Sequence, residues 1–112
     1  MSMSTLRNWI EFEADGEPIE AVVIGEMGWG DYASDGVPDY DKHPRNVVLS
    51  WEQAQPYLEY EFSNDYGAPK CEAITAWTKS WVIAVSQYDG STNPFRLPRN
   101  PVDHEPTMPG GG

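Results

Sequence analysis

A chain of 112 residues with five Trp, six Tyr and three Phe has enough apolar bulk for one domain with a real core, and too many rings for a wholly disordered protein. Its formal net charge of −11 disfavours direct contact with nucleic acid, because phosphates are held by Lys and Arg. No stretch approaches the ~20 apolar residues of a membrane span, the first residues lack the apolar core of a secretory leader, and Cys71 stands alone. A reducing cytoplasm is the expected compartment, with no internal disulfide.

The charge is unevenly placed. Fourteen of the eighteen carboxylates fall in residues 8–69, against Lys42 and Arg45 alone, whereas residues 70–112 are balanced. Such a distribution favours a basic protein partner through electrostatic steering. The competing reading is that the acidity only keeps the chain soluble.

Trp9–Ala14 and Glu17–Ile24 alternate on either side of Asp15-Gly16. Asp-Gly between alternating runs predicts a type I′ hairpin, which needs positive φ at both central residues. In that register Phe12 faces Ile19 and Ile10 faces Ala21 on the inner side. Glu11 falls opposite Glu20 on the outer side, with Glu13 and Glu17 beside them. Like charges opposed across strands are unfavourable, so either the register slips or this face serves binding rather than stability, the second being the reading preferred.

Residues 25–45 show no periodicity but carry Met27, Trp29, Tyr32, Val37 and Tyr40, more apolar surface than a disordered linker has. A partly packed Ω-like loop is expected. Asp31, Asp35, Gly36 and Asp39 fit positions one, five, six and nine of a calcium loop. Ala33 then falls at three and Lys42 at twelve, where a bidentate Glu is required. A solvated acidic loop is the better reading. Tyr and Trp set among acids suit a basic protein surface; the alternative is that these rings cap the sheet.

Asn46–Leu49 reads as a short strand. Ser50-Trp51-Glu52-Gln53 is a capping box opening a helix that Pro56 keeps short. Residues 57–62 alternate strictly and are read as a strand, although a continuous helix over 51–62 would bring Trp51, Ala54, Leu58 and Phe62 together. Residues 64–69 are read as a turn leading into the central hairpin.

Glu72–Tyr88 is the centre of the sheet, a hairpin turning at Lys79-Ser80. The predicted register sets Trp77 opposite Val82, Ala76 opposite Ile83 and Ile74 opposite Val85. Ile74, Ala76, Ile83 and Val85 then share one face; Ala73, Thr75, Trp77, Val82 and Ala84 share the other. A strand pair apolar on both faces belongs in the middle of a covered sheet. Asp89-Gly90 predicts a second tight turn, and Pro94 places the strand Asn93–Leu97 at an edge. A disordered tail, 102–112, is expected to follow a domain of residues 1–101.

Tyr66-Gly67-Ala68-Pro69, Ala76-Trp77-Thr78, Tyr88-Asp89-Gly90-Ser91-Thr92 and Pro98-Arg99-Asn100-Pro101 together resemble small uncharacterised accessory proteins encoded by bacteriophages. The resemblance spans roughly residues 64–101. It implies an accessory role inside a bacterium and carries over no functional residue.

Chemistry-bearing groups are sparse. His43, His104 and Cys71 cannot make a zinc set, and a Cys71–His43 nucleophilic pair has no supporting motif. Cys71, just before an apolar strand, reads as a small buried hydrophobe.

The expected fold is α+β and mainly antiparallel β: one sheet of about five or six strands, one short helix near residues 51–55, and a long aromatic and acidic loop. The expected function is non-enzymatic binding of a basic protein, such as a nucleic-acid-handling enzyme whose phosphate groove the acids would occupy. Glu11, Glu13, Glu20, Trp29, Asp31, Tyr32, Asp35, Asp39, Tyr40 and Asp41 are the candidate contacts, with no catalytic residue, metal or cofactor assigned. The alternative is a small-ligand or divalent-ion binder using the 25–45 loop.

Overall fold

The computed structural model describes residues 3–26, 37–63, 71–88, 91–106 and 108. In chain order these form β1 (Met3–Thr5), α1 (Leu6–Ala14), β2 (Ala21–Ile24), β3 (Val48–Leu49), α2 (Trp51–Ala54), β4 (Glu61–Ser63), β5 (Ile74–Trp77), β6 (Trp81–Tyr88) and β7 (Ser91–Pro98). Five strands make an antiparallel sheet in the order β3-β2-β5-β6-β7, while β1 and β4 pair separately. The α+β class is the one expected. The helix content is not: a helix stands where the first hairpin was predicted.

Leu6, Ile10 and Ala14 recur every four residues and are all buried, so α1 turns one stripe inward. Thr5 caps it by accepting from the Asn8 amide at 3.1 Å. Phe12, assigned to the inner face of a hairpin, is instead 78% exposed. The Asp15-Gly16 signal was sound in its backbone requirement. Both residues have positive φ, 54° and 85°, but they end a helix rather than join two strands. The supposed clash of Glu11 with Glu20 therefore does not exist. Glu11 lies one helical turn from Arg7, 3.6 Å from its Nε, and Glu20 sits 2.5 Å from Arg99.

The central hairpin has the predicted register, with Ala76 beside Ile83 and Trp77 beside Val82. The Thr78 amide donates to the Trp81 carbonyl at 2.9 Å, closing a two-residue turn at Lys79-Ser80. Glu17, delivered by the reversal at Asp15-Gly16, clamps this turn. It accepts from the Thr78 hydroxyl at 2.6 Å, the Ser80 hydroxyl at 2.7 Å and the Ser80 amide at 3.1 Å. The Ser50–Gln53 capping box is present in both directions, and Pro56 lies in the single 3₁₀ turn, Gln55–Tyr57, that follows α2. Beyond it only residues 61–63 are strand, so the run 57–62 expected as a strand is one only at its last two residues, the rest being the 3₁₀ turn and a connector.

Register divides the sheet into two unlike faces. Val22, Ala76, Ile83 and Arg96 lie side by side on the inner face, and the first three are fully buried. The core joins them to Ile24, Ile74, the α1 stripe, Ala54 and Leu58. The outer face carries one row of Val48, Val23, Thr75, Ala84 and Phe95 and a second of Ala21, Trp77, Val82 and Leu97. Val48 is 72% and Leu97 39% exposed, and the rest are half-buried. Both faces of the hairpin are apolar as expected, but among the described residues the helices cover only one. Trp81 packs on the core and Trp77 stands on the outer face.

The β7 edge is closed by its prolines. The Arg99 amide donates inward to the Ser80 carbonyl, so odd-numbered residues here turn their amides towards β6. Pro94 and Pro98 occupy the opposite parity, where an exposed amide would otherwise invite another strand. The Asp89-Gly90 turn lies outside the described residues, although Tyr88 pairs with Ser91 across it. Residues 102–106 are exposed and without regular structure.

Ile83→Ala should lower unfolding stability by about 2–5 kcal/mol in urea titration, because the side chain is fully buried at the sheet centre. Glu17 offers a pH test. Hydrogen bonds from Thr78 and Ser80 hold its carboxyl below the ordinary value. A lowered folded-state value gives stability that is present above the unfolded value and is lost as pH falls through the folded one. Glu17→Gln should therefore melt below the parent at neutral pH, with the gap closing as the buffer is taken below the usual carboxylate range.

Candidate functional site

Glu72 enters the fold just before β5 and is completely buried. A carboxylate without water needs partners on both oxygens, and this one has them. Its Oε1 accepts from the Tyr60 hydroxyl at 3.1 Å, and that same hydroxyl accepts the Glu72 amide at 3.0 Å. Its Oε2 takes the Arg45 guanidinium and lies 2.9 Å from His43 Nδ1. His43 Nε2 is 2.9 Å from the Pro38 carbonyl, which can only accept, so Nε2 carries a hydrogen. The contact of Nδ1 with Oε2 is then a hydrogen bond through a second proton.

Arg45 extends the clamp outward. Besides Glu72 it donates to the carbonyls of Gly25 at 2.6 Å and Tyr40 at 2.7 Å, and its guanidinium lies 4.0 Å from the Tyr40 ring centre. The His43 ring packs against Tyr57, with centroids 4.9 Å apart. One buried anion thus fixes the 3₁₀ turn Tyr40–Lys42, the end of β2 and the start of β5 together. Tyr40 is held against Arg45, while Asp39 and Asp41 beside it, and Glu26 beside Gly25, face water.

Tyr, His, Glu and Cys in one place are the raw material of acid–base or nucleophilic chemistry, but here they are sealed and mutually satisfied. Burial and the negative charge of Glu72 push the Cys71 thiol up to about 12, and the same two causes raise the Tyr60 phenol. A nucleophilic thiol needs the opposite shift. Cys71 is the buried small hydrophobe that was expected. Among the described residues no group of three His, Cys, Asp or Glu is placed to hold a metal ion, and no helix is long and apolar enough to cross a membrane.

The predicted contact residues separate. Glu11 and Glu13 ride on α1, which packs over β6 and β7. Glu20 precedes β2 and is tied to Arg99. Asp39, Tyr40 and Asp41 sit on the turn anchored by Arg45 at the β2–β5 end. Trp29, Asp31, Tyr32 and Asp35 lie outside the described residues, with the rest of residues 27–36 of the predicted 25–45 loop. Sequence reasoning missed Glu26, His43, Arg45 and Glu72. A signal was available: Arg45 is one of only two Lys or Arg among the fourteen acids of residues 8–69, and the base most able to pair internally.

The other arginines are engaged as well. Arg7 meets Glu59 and Glu11; Arg96 donates to the Glu13 carbonyl at 3.1 Å and lies 4.2 Å from the Trp81 ring centre; Arg99 holds Glu20 and the Thr78 carbonyl. By contrast Glu26, Asp39, Asp41, Glu52 and Glu61 are exposed and form no ion pair among the described residues. No protein-family model matches the chain, and no curated protein or solved structure matches it.

Glu72→Gln should cost about 3–5 kcal/mol in denaturant titration, since it leaves Arg45 partly buried without its counter-charge. Tyr60→Phe should cost less, about 1–3 kcal/mol, by orphaning the Glu72 amide and one carboxylate lone pair.

Proposed function

We propose that this chain is a small acidic, non-enzymatic binding protein that presents carboxylates and aromatic rings to a basic protein. One observation carries the reading. All four arginines of the chain make internal contacts, and Glu26, Asp39 and Asp41 around the Arg45 anchor face solvent and form no ion pair among the described residues. Anchoring matters because a charge on a fixed turn steers a partner into one orientation, whereas a charge on a loose tail only attracts it. Tyr40 supplies a ring beside the acids, and Trp29 and Tyr32 precede it in the same stretch of sequence. The resemblance to phage accessory proteins makes a host or defence protein in the bacterial cytoplasm the natural target. A nucleic-acid-handling enzyme fits best, its phosphate groove taking the carboxylates as an inhibitor would.

Capture from bacterial lysate, washed at low and at high salt, would identify the partner. Carboxylate-driven association should weaken as the Debye length falls from ~10 Å at 0.1 M to ~3 Å at 1 M. An Asp39→Asn, Asp41→Asn variant should fold normally and associate severalfold more slowly with the captured protein, with a shallower salt dependence and little change in dissociation. An unchanged association rate at both salt concentrations would reduce the acidity to solvation.

A further inference from the structure

We infer that the outer face of the sheet is the interface of a face-to-face homodimer. An antiparallel sheet with one solvated face ordinarily alternates apolar inside with polar outside. Here Val23, Trp77, Val82, Phe95 and Leu97 lie on the outer face, fixed there by the register of four successive strands. None of them packs on the core cluster beneath, so core formation does not account for them.

Charge decides the occupant. The chain carries −11, yet the two central rows of this face contain no ionisable side chain. A basic partner recognised by carboxylates finds none to pair with there. A second copy brings the same neutral surface, so a two-fold axis through the face opposes apolar rows with apolar rows and keeps the acids at the rim. Strand addition along β7 is opposed by Pro94 and Pro98, which leaves packing through the face. Size is consistent with a modest affinity. Five strands ~4.8 Å apart, from roughly 7 Å for β3 to roughly 26 Å for β6 and β7, outline on the order of 400 Å² per copy, and the ~800 Å² of a pair falls below the ~1,000 Å² of a stable specific interface, so the dimer is a weak, transient one.

The salt response is opposite in sign to that of carboxylate-driven binding. Two copies of −11 repel, so screening should promote the dimer. Sedimentation velocity over a micromolar-to-millimolar concentration series, at low and high NaCl, is the test. The expected result is a monomer–dimer equilibrium with a dimer fraction that rises with salt. Val82→Glu should abolish the dimer, and Leu97→Glu, at an exposed edge position, should do so with an unchanged melting curve. A parent that remains monomeric throughout, or a dimer that survives in folded Leu97→Glu, would overturn the inference. Either result leaves the Asp39 and Asp41 experiment untouched, because those residues lie off this face.

Discussion

The burial of Glu72 is the constraint on which the irregular half of the molecule depends. Strands β2, β5, β6 and β7 are held by ladder hydrogen bonds and by Val22, Ala76 and Ile83 beneath them. Residues 37–47 have neither a ladder nor a helix of more than one turn. What places them is a single carboxylate joined to Arg45, His43 and Tyr60, and Arg45's further bonds to the carbonyls of Gly25 and Tyr40. A buried ion pair adds little net stability over a well-packed apolar replacement, but its geometry is demanding. It therefore selects one arrangement of a segment that apolar packing through Val37 and Tyr40 would leave underdetermined.

The parts of this fold legible in the sequence are those fixed by a short-range rule. Period-two alternation with a two-residue turn gave the register of the central hairpin, and the Ser50–Gln53 box gave the start of α2. The first hairpin failed because Ile10, Phe12 and Ala14 satisfy a strand period while Leu6, Ile10 and Ala14 satisfy a helical one. The choice rested on where the window began. Thr5 and Leu6 lay outside it, and they are the cap and the first buried position. Asp-Gly could not arbitrate, since a helix C-terminus and a type I′ turn both demand positive φ. The Glu72 clamp was illegible for another reason. Its members are separated by up to 29 residues and follow no period, so only the tertiary structure brings them together.

Charge and apolar surface are partitioned in this molecule. Among the described residues, exposed acids lie on connections, on helices and on β4 of the separate strand pair: Asp39 and Asp41 on the Arg45-anchored turn, Glu11 on α1, Glu52 on α2 and Glu61 on β4. The outer sheet rows are uncharged along all five strands. A chain that needed only solubility would place carboxylates on the outward positions of its strands, where alternation makes room for them and where they also discourage association. Glu20 and Glu26 bracket β2 at either end, yet no acid falls within it.

That partition would let the two proposed interactions, with a basic protein and with a second copy, coexist on so small a body. Contacts driven by carboxylates act over a Debye length and fade as salt rises; contacts driven by apolar area act at van der Waals range and gain when like charges are screened. If both used one surface, acids close enough to steer a basic partner would also repel a second copy from the same patch. Arg45 keeps Asp39 and Asp41 on a turn at the β2–β5 end, while Trp77 and Val82 stand on the sheet towards the Lys79-Ser80 turn at the other end of those strands. The clamp on Glu72 thus does more than fix a loop. By holding the turn of Asp39 and Asp41 at the β2–β5 end, it keeps those two carboxylates away from the apolar rows.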